Sequence, residues 1–331
     1  MSSLNNLPLL TRLIAATVQV SQKSARILRE IKKSGELNVR EKGVNDYVTK
    51  ADFLSQLNII KSLEKQFPKL RIYGEEGELK DNYTDLELSL NETVLKEAKN
   101  LPDIYQNLQE EDLLVWVDPL DGTKEYTMGY DVAQEVTVLI GVAYKGRPIA
   151  GVVNQPFYQF DKESDSYLSR VLWGIVGLGT FDLNNGKVNV EKSDENILRI
   201  VTTRSHMTDL VKKNLTQIPN SKMIHAGGAG YKALALVDGK ADYYIYPKDG
   251  TKRWDTCGPE ALIKALGGCM TDIFGNEYSY EKNAEILEEN CNGIVFSLKE
   301  DNSEVIKYFT QDIKDQVLSE VNKLKQSKLN Q

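Results

Sequence analysis

Two aspartates three residues apart are the strongest chemical signal in this chain. Asp118 and Asp121 follow an apolar run, residues 113–117, that is typical of a buried strand. Pro119 cannot continue a strand hydrogen-bond ladder and Gly122 favours a turn, so we expect the chain to turn where the two acids lie. Carboxylates this close repel each other unless a cation lies between them, and oxygen ligands suit Mg²⁺. A bare D-x-x-D is usually a polar turn, but the apolar strand before it and the Gly-Thr pair after it favour a metal site.

Three other segments supply carboxylates where regular structure is expected to begin or end. Asp52 opens a predicted helix, Glu75 and Glu76 lie between two glycines, and Asp255 precedes a predicted helix over 256–266. Taken singly, Asp52 and Asp255 are better explained as helix-start residues, and the glutamates could form a solvated turn. Together with the aspartate pair they predict a cage for two or three Mg²⁺ ions, about 3.5–4 Å apart in the common two-metal arrangement.

Phosphate-ester hydrolysis is the chemistry that suits such a cage. Bound metals lower the pKa of a water molecule and neutralise phosphoryl oxygens, so no histidine is required. The hydroxyl of Thr123 can bond the attacking water, and Asp52 can orient that hydroxyl. The alternative for Thr123 is a turn residue that bonds its own backbone. The chain has two histidines, which leaves few candidates for a histidine-activated nucleophile.

The composition limits which binding partners and which cellular compartment we expect. The 331 residues carry a net charge of −7, so we expect no nucleic-acid binding through a basic surface. Three cysteines without a C-x-x-C pair indicate reduced thiols, and they lack the spacing of a structural zinc site. The most apolar N-terminal stretch, residues 9–20, contains Arg12 and is too short to span a bilayer, so we expect a cytoplasmic protein without a membrane partner.

Periodicity predicts the elements that must position these residues. A long amphipathic helix over 7–33 should end at Gly35, and residues 77–112 read as an acidic surface excursion with a short helix. From residue 197 strands and helices alternate, which is typical of an α/β domain. We therefore expect an α+β domain over 1–195 with most metal ligands and an α/β domain over 196–331 with Asp255. The other predicted elements are helices at 51–67, from about 207, at 230–238 and at 303–326, and strands at 70–73, 136–144, 149–154, 167–176, 188–190, 198–203, 222–225 and 241–246, with a hairpin turn at 145–148.

A second anion site is predicted away from the metals. The glycine-rich segment 227–230 precedes a predicted helix, so its backbone N–H groups and the helix N-terminus could face a phosphate. Lys232 adds a positive charge, and Arg253 is a second candidate. Close helix packing or a simple turn explains the glycines equally well. His206 could cap a helix instead of binding a ligand, and His225 is expected to pack or cap.

Three sequence blocks resemble the inositol monophosphatase superfamily. They are Gly74-Glu75-Glu76, Asp118-Pro119-Leu120-Asp121-Gly122-Thr123 and Trp254-Asp255-Thr256-Cys257-Gly258-Pro259-Glu260, in the same order as in the family. The resemblance runs from the first helix to about residue 300. It implies an α/β (α+β) fold, a layered αβαβα sandwich of the inositol monophosphatase and fructose-1,6-bisphosphatase type. It also implies that Mg²⁺ is held by Glu75, Asp118, the carbonyl of Leu120, Asp121 and Asp255, that Asp52 and Thr123 lie at the nucleophilic water, and that Li⁺ inhibits.

Within the family, several segments resemble members that remove the 3′-phosphate of adenosine 3′,5′-bisphosphate, leaving AMP, and that act on 3′-phosphoadenylyl sulfate. These segments, at 124–127, 136–156, 202–206, 227–232 and 252–255, imply a role in nucleotide metabolism and sulfur assimilation and a monomer or weak homodimer. The resemblance places Thr123, Thr203, His206, Gly228, Lys232 and Asp255 at the substrate.

Rival functions remain open at this point. An inositol polyphosphate 1-phosphatase or an inositol monophosphatase would use the same metal chemistry, and an inactive phosphate-sensing scaffold could keep the fold. Residues 130–135 form a longer connection than is usual in the family, beside the Asp118 motif, which leaves substrate preference open there.

Overall fold

A computed structural model describes residues 6–43, 46–191, 197–204, 207–282 and 288–329. The first helix ends as predicted, because Gly35 adopts the left-handed conformation (φ 75°) that terminates a helix without strain. The helices of the described residues are α1 (Leu9–Ser34), α2 (Lys50–Gln66), α3 (Glu92–Glu97), α4 (Thr123–Thr127), α5 (Asp209–Leu215), α6 (Ala229–Val237), α7 (Arg253–Ala265), α8 (Ser303–Ile306) and α9 (Gln311–Leu329).

The strands form a hairpin and two larger sheets. The hairpin is β1 (Arg40–Gly43) with β2 (Asp46–Val48). The seven-stranded sheet follows chain order, β3 (Arg71–Gly74), β4 (Leu113–Asp121), β5 (Thr137–Tyr144), β6 (Arg147–Asp161), β7 (Ser166–Ile175), β8 (Gly179–Asp182) and β9 (Gly186–Lys187), and is antiparallel except for the parallel β3–β4 pair. The five-stranded sheet contains β10 (Leu198–Thr203), β11 (Ser221–Ala226), β12 (Tyr243–Tyr246), β13 (Cys269–Thr271) and β14 (Ile294–Ser297) in the order β11-β10-β12-β14-β13.

Three hydrophobic clusters show how the layers stack. The first joins α1 and α2 to one face of the seven-stranded sheet. The second lies between the two sheets and contains α6 and α7, and the third packs α5 and α9 on the outer face of the five-stranded sheet. The layers are therefore, in order, α1 with α2, the seven-stranded sheet, α6 with α7, the five-stranded sheet, and α5 with α9. This confirms the predicted αβαβα sandwich.

Strand β4 departs from the prediction at Pro119. Its residues alternate, with Val117 in the first cluster and Trp116 in the second, so both faces are buried and the sequence is continuously apolar. The expected turn at Pro119 is wrong, because the strand continues to Asp121. Asp118 pairs with Leu139, and Asp121 pairs with Thr137. Between these two pairs β4 advances by three residues and β5 by two, so β4 carries one extra residue. Pro119 lies within this bulge, where the ladder does not need its missing N–H.

Other elements differ in their bounds. The segment 77–112 contains α3 and short 3₁₀ turns, and β9 lies at 186–187 instead of 188–190. The predicted closing helix over 303–326 is divided into α8 and α9. The seven-stranded sheet ends at Lys187 and the five-stranded sheet begins at Leu198, while the division into domains 1–195 and 196–331 stays a prediction. No helix within the described ranges is both long enough and apolar enough to cross a membrane.

Glycines set the distance between α7 and the larger sheet. A Cβ atom at Gly141 of β5 would lie 2.4 Å from the backbone nitrogen of Gly258 in α7. A Cβ at Gly151 of β6 would lie 2.4 Å from the carbonyl oxygen of Gly258. Side chains at these positions would push the helix outward, so their absence lets α7 lie directly against the strands. Its first turn, with Asp255, is thereby brought to the end of β4.

Candidate active site

Three carboxylates from two elements meet at the end of β4. Oxygen atoms of Asp118, Asp121 and Asp255 all lie within 4.8 Å of one another. The first two come from the bulged end of β4, where their side chains are buried, and the third comes from the first turn of α7. The structure thus brings together three acids that lie up to 137 positions apart in the printed sequence.

This cluster is electrostatically costly without a cation. Burial raises the pKa of Asp118 well above its usual value, and the charge of Glu75 adds to that rise. Burial likewise raises the pKa of Asp255 to about 7, with Glu75 and Asp121 contributing. Three carboxylates packed this closely repel one another when they are ionised, and a hard divalent cation that prefers oxygen ligands would offset that repulsion.

Glu75 and Leu120 lie at the same pocket but outside this tight group. Glu75 follows β3, and its backbone N–H donates to the carbonyl of Val117 at 3.1 Å, which fixes it beside β4. Its carboxylate oxygen lies 3.2 Å from the Nζ atom of Lys42, which also pairs with Glu76 at 2.7 Å. The carbonyl of Leu120 accepts a bond from the Thr123 hydroxyl at 3.1 Å. Both predicted ligands therefore line the pocket.

Asp121 is held by three donors. The hydroxyl of Thr137 donates to it at 2.7 Å, and the backbone N–H groups of Ala229 and Gly230 donate at 2.8 Å each. The latter two belong to the N-terminus of α6, whose unpaired amides attract negative charge. The prediction that this helix N-terminus faces a bound phosphate is therefore wrong for these two amides, because they already bind the chain's own carboxylate.

Thr123 and Asp52 form a hydrogen-bonded pair beside the cluster. One oxygen of Asp52 accepts bonds from the N–H (2.7 Å) and the hydroxyl (2.6 Å) of Thr49, which caps α2. Its other oxygen lies 3.2 Å from the Thr123 hydroxyl, whose single hydrogen can serve either Asp52 or the Leu120 carbonyl. Burial raises the pKa of Asp52 to about 7, although the Thr49 bonds oppose this. The helix-start explanation and the catalytic one are thus compatible.

The predicted substrate residues lie around one pocket of about 210 Å³. Thr123, Thr203, Gly228, Lys232 and Asp255 all line it. His206 was also predicted to contact the substrate and lies outside the described residues. His225 accepts or donates a bond at 3.2 Å with the carbonyl of Thr203, consistent with packing.

Lys232 is the cation buried in this pocket. Its Nζ atom donates to the carbonyl of Gly228 and lies 5.3 Å from the ring centre of Tyr244. Burial lowers its pKa, while the nearby charges of Asp121 and Glu125 oppose that effect. Arg253 does not belong to the pocket, because its guanidinium is buried and bonds backbone carbonyls such as that of Ser279 at 2.7 Å. The expectation that it assists an anion site is wrong.

Several pocket residues escaped the sequence analysis. Tyr244 and Tyr246 lie in an apolar strand and are indistinguishable there from core residues, and Tyr47 lies in the small hairpin. Glu125 could have been found from its position two residues after Thr123 on the same short helix. Thr251 carries no recognisable signal.

The sequence of this chain is similar to those of known proteins. The profile of the inositol monophosphatase family matches residues 9–313. The chain is 42% identical to human 3′(2′),5′-bisphosphate nucleotidase 1 over 294 residues, 88% of this chain and 92% of that protein. It is 37% identical to the Dictyostelium discoideum protein of that name (86% of this chain, 92% of that protein) and 33% identical to the bovine Golgi-resident adenosine 3′,5′-bisphosphate 3′-phosphatase (82% and 73%).

Solved structures share the fold at low sequence identity. An IMPase of Thermotoga maritima superposes with a TM-score of 0.62 at 21% identity, covering 92% of this chain and 97% of its own. CysQ from Bacteroides thetaiotaomicron, a bacterial member of the inositol monophosphatase family, has a TM-score of 0.60 at 20% identity, with 86% and 96% covered.

Proposed function

We propose that this chain, which belongs to the inositol monophosphatase family, removes the 3′-phosphate of adenosine 3′,5′-bisphosphate to give AMP and phosphate, and acts likewise on 3′-phosphoadenylyl sulfate. The observation that carries the proposal is the meeting of three buried carboxylates beside the Thr123–Asp52 pair, in a chain 42% identical to human 3′(2′),5′-bisphosphate nucleotidase 1.

Mg²⁺ is the metal we assign to the cluster. Glu75, Asp118, Asp121, Asp255 and the carbonyl of Leu120 would hold two or three ions, since all of these residues line the pocket and offer oxygen ligands. When bound, the ions supply an acidified water and neutralise charge on the phosphoryl oxygens and the leaving group. Asp121 is fixed for this role by its bonds from Thr137, Ala229 and Gly230.

Thr123 and Asp52 are the residues we assign to the attacking water. When Thr123 donates its hydrogen to Asp52, its oxygen lone pairs are left to accept a hydrogen from a water molecule in the pocket. Asp52 can hold that hydroxyl in place because its second oxygen is fixed by Thr49. Orientation of a nucleophile by such a pair is worth about 10²–10⁴-fold in rate.

Lys232 and the residues near it are our candidates for the substrate's second phosphate. Lys232, Thr203 and Gly228 line the pocket that Asp118 and Asp255 also line. The Gly228 carbonyl accepts one of the three hydrogens of the Lys232 ammonium group, so the others can bond the oxygens of an anionic substrate.

Phosphate release from a substrate panel tests the proposal. With Mg²⁺ we expect adenosine 3′,5′-bisphosphate to be hydrolysed faster than 3′-AMP or inositol phosphates, and we expect EDTA to abolish release. Asp121→Asn should abolish turnover; because the asparagine NH2 group cannot accept the Ala229 amide that the second aspartate oxygen accepts, circular dichroism is used to check that the variant is folded. Preferential hydrolysis of inositol phosphates would assign the rival phosphatase function, and no release from any substrate would favour an inactive scaffold.

The proposal also covers inhibition by Li⁺, the cellular compartment and the oligomeric state. Li⁺ should inhibit by taking a Mg²⁺ position, and a flat Li⁺ titration would count against the metal assignment. We assign the chain to the cytoplasm, where Cys257, Cys269 and Cys291, all buried and without a disulfide, would stay reduced. We expect a monomer or weak homodimer, which sedimentation at micromolar concentrations can check.

A further inference from the structure

Glu135 lies at the end of the connection over 130–135. The connection ends in a short 3₁₀ turn, Ala133–Glu135, directly before β5. The Glu135 side chain is buried, with 5% of its surface exposed. A buried carboxylate needs partners, because an unpaired charge away from water is strongly unfavourable.

Two partners of Glu135 lie directly after strands of the five-stranded sheet. One carboxylate oxygen accepts the backbone N–H of Gly227 at 2.6 Å, and the other is bonded by the guanidinium of Arg204. Arg204 also lies 4.0 Å from a carboxylate oxygen of Glu125. Glu135 thus holds two segments that are separate in sequence: the end of β10 and the glycine turn after β11.

The glycine turn is enclosed so tightly that its position is determined by its neighbours. A Cβ atom at Gly227 would lie 2.1 Å from the carboxyl carbon of Glu125, and one at Gly228 would lie 2.4 Å from the Glu135 carbonyl oxygen. Gly228 also has a φ of 58°, which favours glycine. Two carboxylates, Glu135 and Asp121, therefore accept the amides on either side of Gly228.

The two segments that Glu135 bonds also line the pocket. Thr203 immediately precedes Arg204, and Gly227, Gly228 and Lys232 lie on or just after the held turn. Glu135 itself does not line the pocket. Glu135 can therefore act on a substrate through the backbone of the turn and the end of β10, and through its charge, which also acts on Lys232.

We propose that Glu135 is a positioning residue that sets substrate preference, by holding Thr203 and the Gly227–Lys232 segment at the distance from the carboxylate cluster that a second phosphate requires. This inference rests on the proposed function. It gives the 130–135 connection a role, because that connection delivers a buried acid to the glycine turn.

Kinetics of Glu135→Ala with two substrates tests the inference. We expect KM for adenosine 3′,5′-bisphosphate to rise about tenfold, with kcat within about threefold of the wild type. KM for 3′-AMP, which lacks the 5′-phosphate, should change less than about twofold. Glu135→Gln keeps an acceptor for the Gly227 amide but loses the charge opposite Arg204, so its KM should lie between those of the wild type and Glu135→Ala. Glu163→Ala removes an equal charge from an exposed loop and should match the wild type.

Amide hydrogen exchange provides a readout that does not depend on turnover. Peptides that contain the Gly227 amide should exchange faster in Glu135→Ala than in the wild type or in Glu163→Ala, while the amides of β11 stay protected. Equal KM changes for both substrates, an effect on kcat alone, or unchanged exchange would overturn the inference. If the wild type releases no phosphate from adenosine 3′,5′-bisphosphate, the proposed function fails, and the exchange measurement alone then decides whether Glu135 holds the turn.

Discussion

Asp255→Asn should stabilise the metal-free protein at alkaline pH. Asparagine has nearly the same size and can still accept the backbone N–H of Lys252, which bonds the aspartate at 2.6 Å. What it removes is a negative charge that lies within 4.8 Å of Asp118 and Asp121. The substitution therefore isolates the electrostatic cost of the cluster from its packing.

The size of the effect follows from the pKa of Asp255, which burial and the charges of Glu75 and Asp121 raise from 3.8 to about 7. At about 1.4 kcal/mol for each pKa unit, ionisation of the folded protein costs up to about 4 kcal/mol. Because the folded pKa is raised, this cost is absent below pH 3.8, grows as the pH rises, and is complete above pH 7. The variant should therefore exceed the wild type in stability at pH 8 and match it near pH 4.

Mg²⁺ should narrow that difference. A ligand at 100 times its Kd stabilises the folded state by about 2.7 kcal/mol, and the wild type should gain this while the variant, which lacks one proposed ligand, should gain little. Urea unfolding followed by tryptophan fluorescence, in EDTA and in Mg²⁺ at several pH values, measures both effects. Asp312→Asn, an exposed neutralisation on α9, is the matched control. A wild type more stable than the variant at pH 8 in EDTA, or equal Mg²⁺ stabilisation of both, would refute the reasoning.

Three further predictions address other parts of the molecule. Thr123→Val should lower kcat by about 10²–10⁴-fold while Mg²⁺ still stabilises the protein against heat, and Thr123→Ser should restore most of the activity, because the hydroxyl that bonds Asp52 returns; equal loss in both variants would contradict this. Burial raises the pKa of Glu260 from 4.5 to about 7, so its contribution to stability is lost as the pH rises through that window. The stability of the wild type relative to Glu260→Gln should therefore fall by up to about 3 kcal/mol between pH 4.5 and pH 8 in urea titrations, and a pH-independent difference would count against it. Gly141→Ala should destabilise the fold by about 1–3 kcal/mol through its collision with Gly258, measured by thermal unfolding, and a neutral substitution would show that α7 can yield.

Local signals in the sequence were sufficient for elements whose ends are chemically marked. The end of α1 follows from Gly35, which terminates the helix in the left-handed conformation. The hairpin between β5 and β6 follows from Lys145 and Gly146, both of which have positive φ (50° and 71°), as a two-residue turn requires. These features depend on neighbouring residues alone, and the pattern of one segment is enough to predict them.

Features that depend on distant partners were not predictable in the same way. Pro119 is accommodated inside β4 because the neighbouring strand β3 has already ended at its pair with Val117, which no local pattern reveals. The N-terminus of α6 was recognised as an anion site, but the anion bonded by its first amides is Asp121, 108 positions earlier in the chain. Sequence identified the chemical preference of that helix end and could not identify the partner that satisfies it.

Helix α7 contributes both Asp255 and Gly258, the residue at which it lies against the bare backbones of Gly141 and Gly151. The position of Asp255 relative to Asp118 and Asp121 therefore depends on two strand positions that lack a Cβ atom, about one helical turn from the carboxylate cluster. A side chain at either glycine would move α7 and with it Asp255, so a substitution at these buried positions would change the size of the proposed metal site.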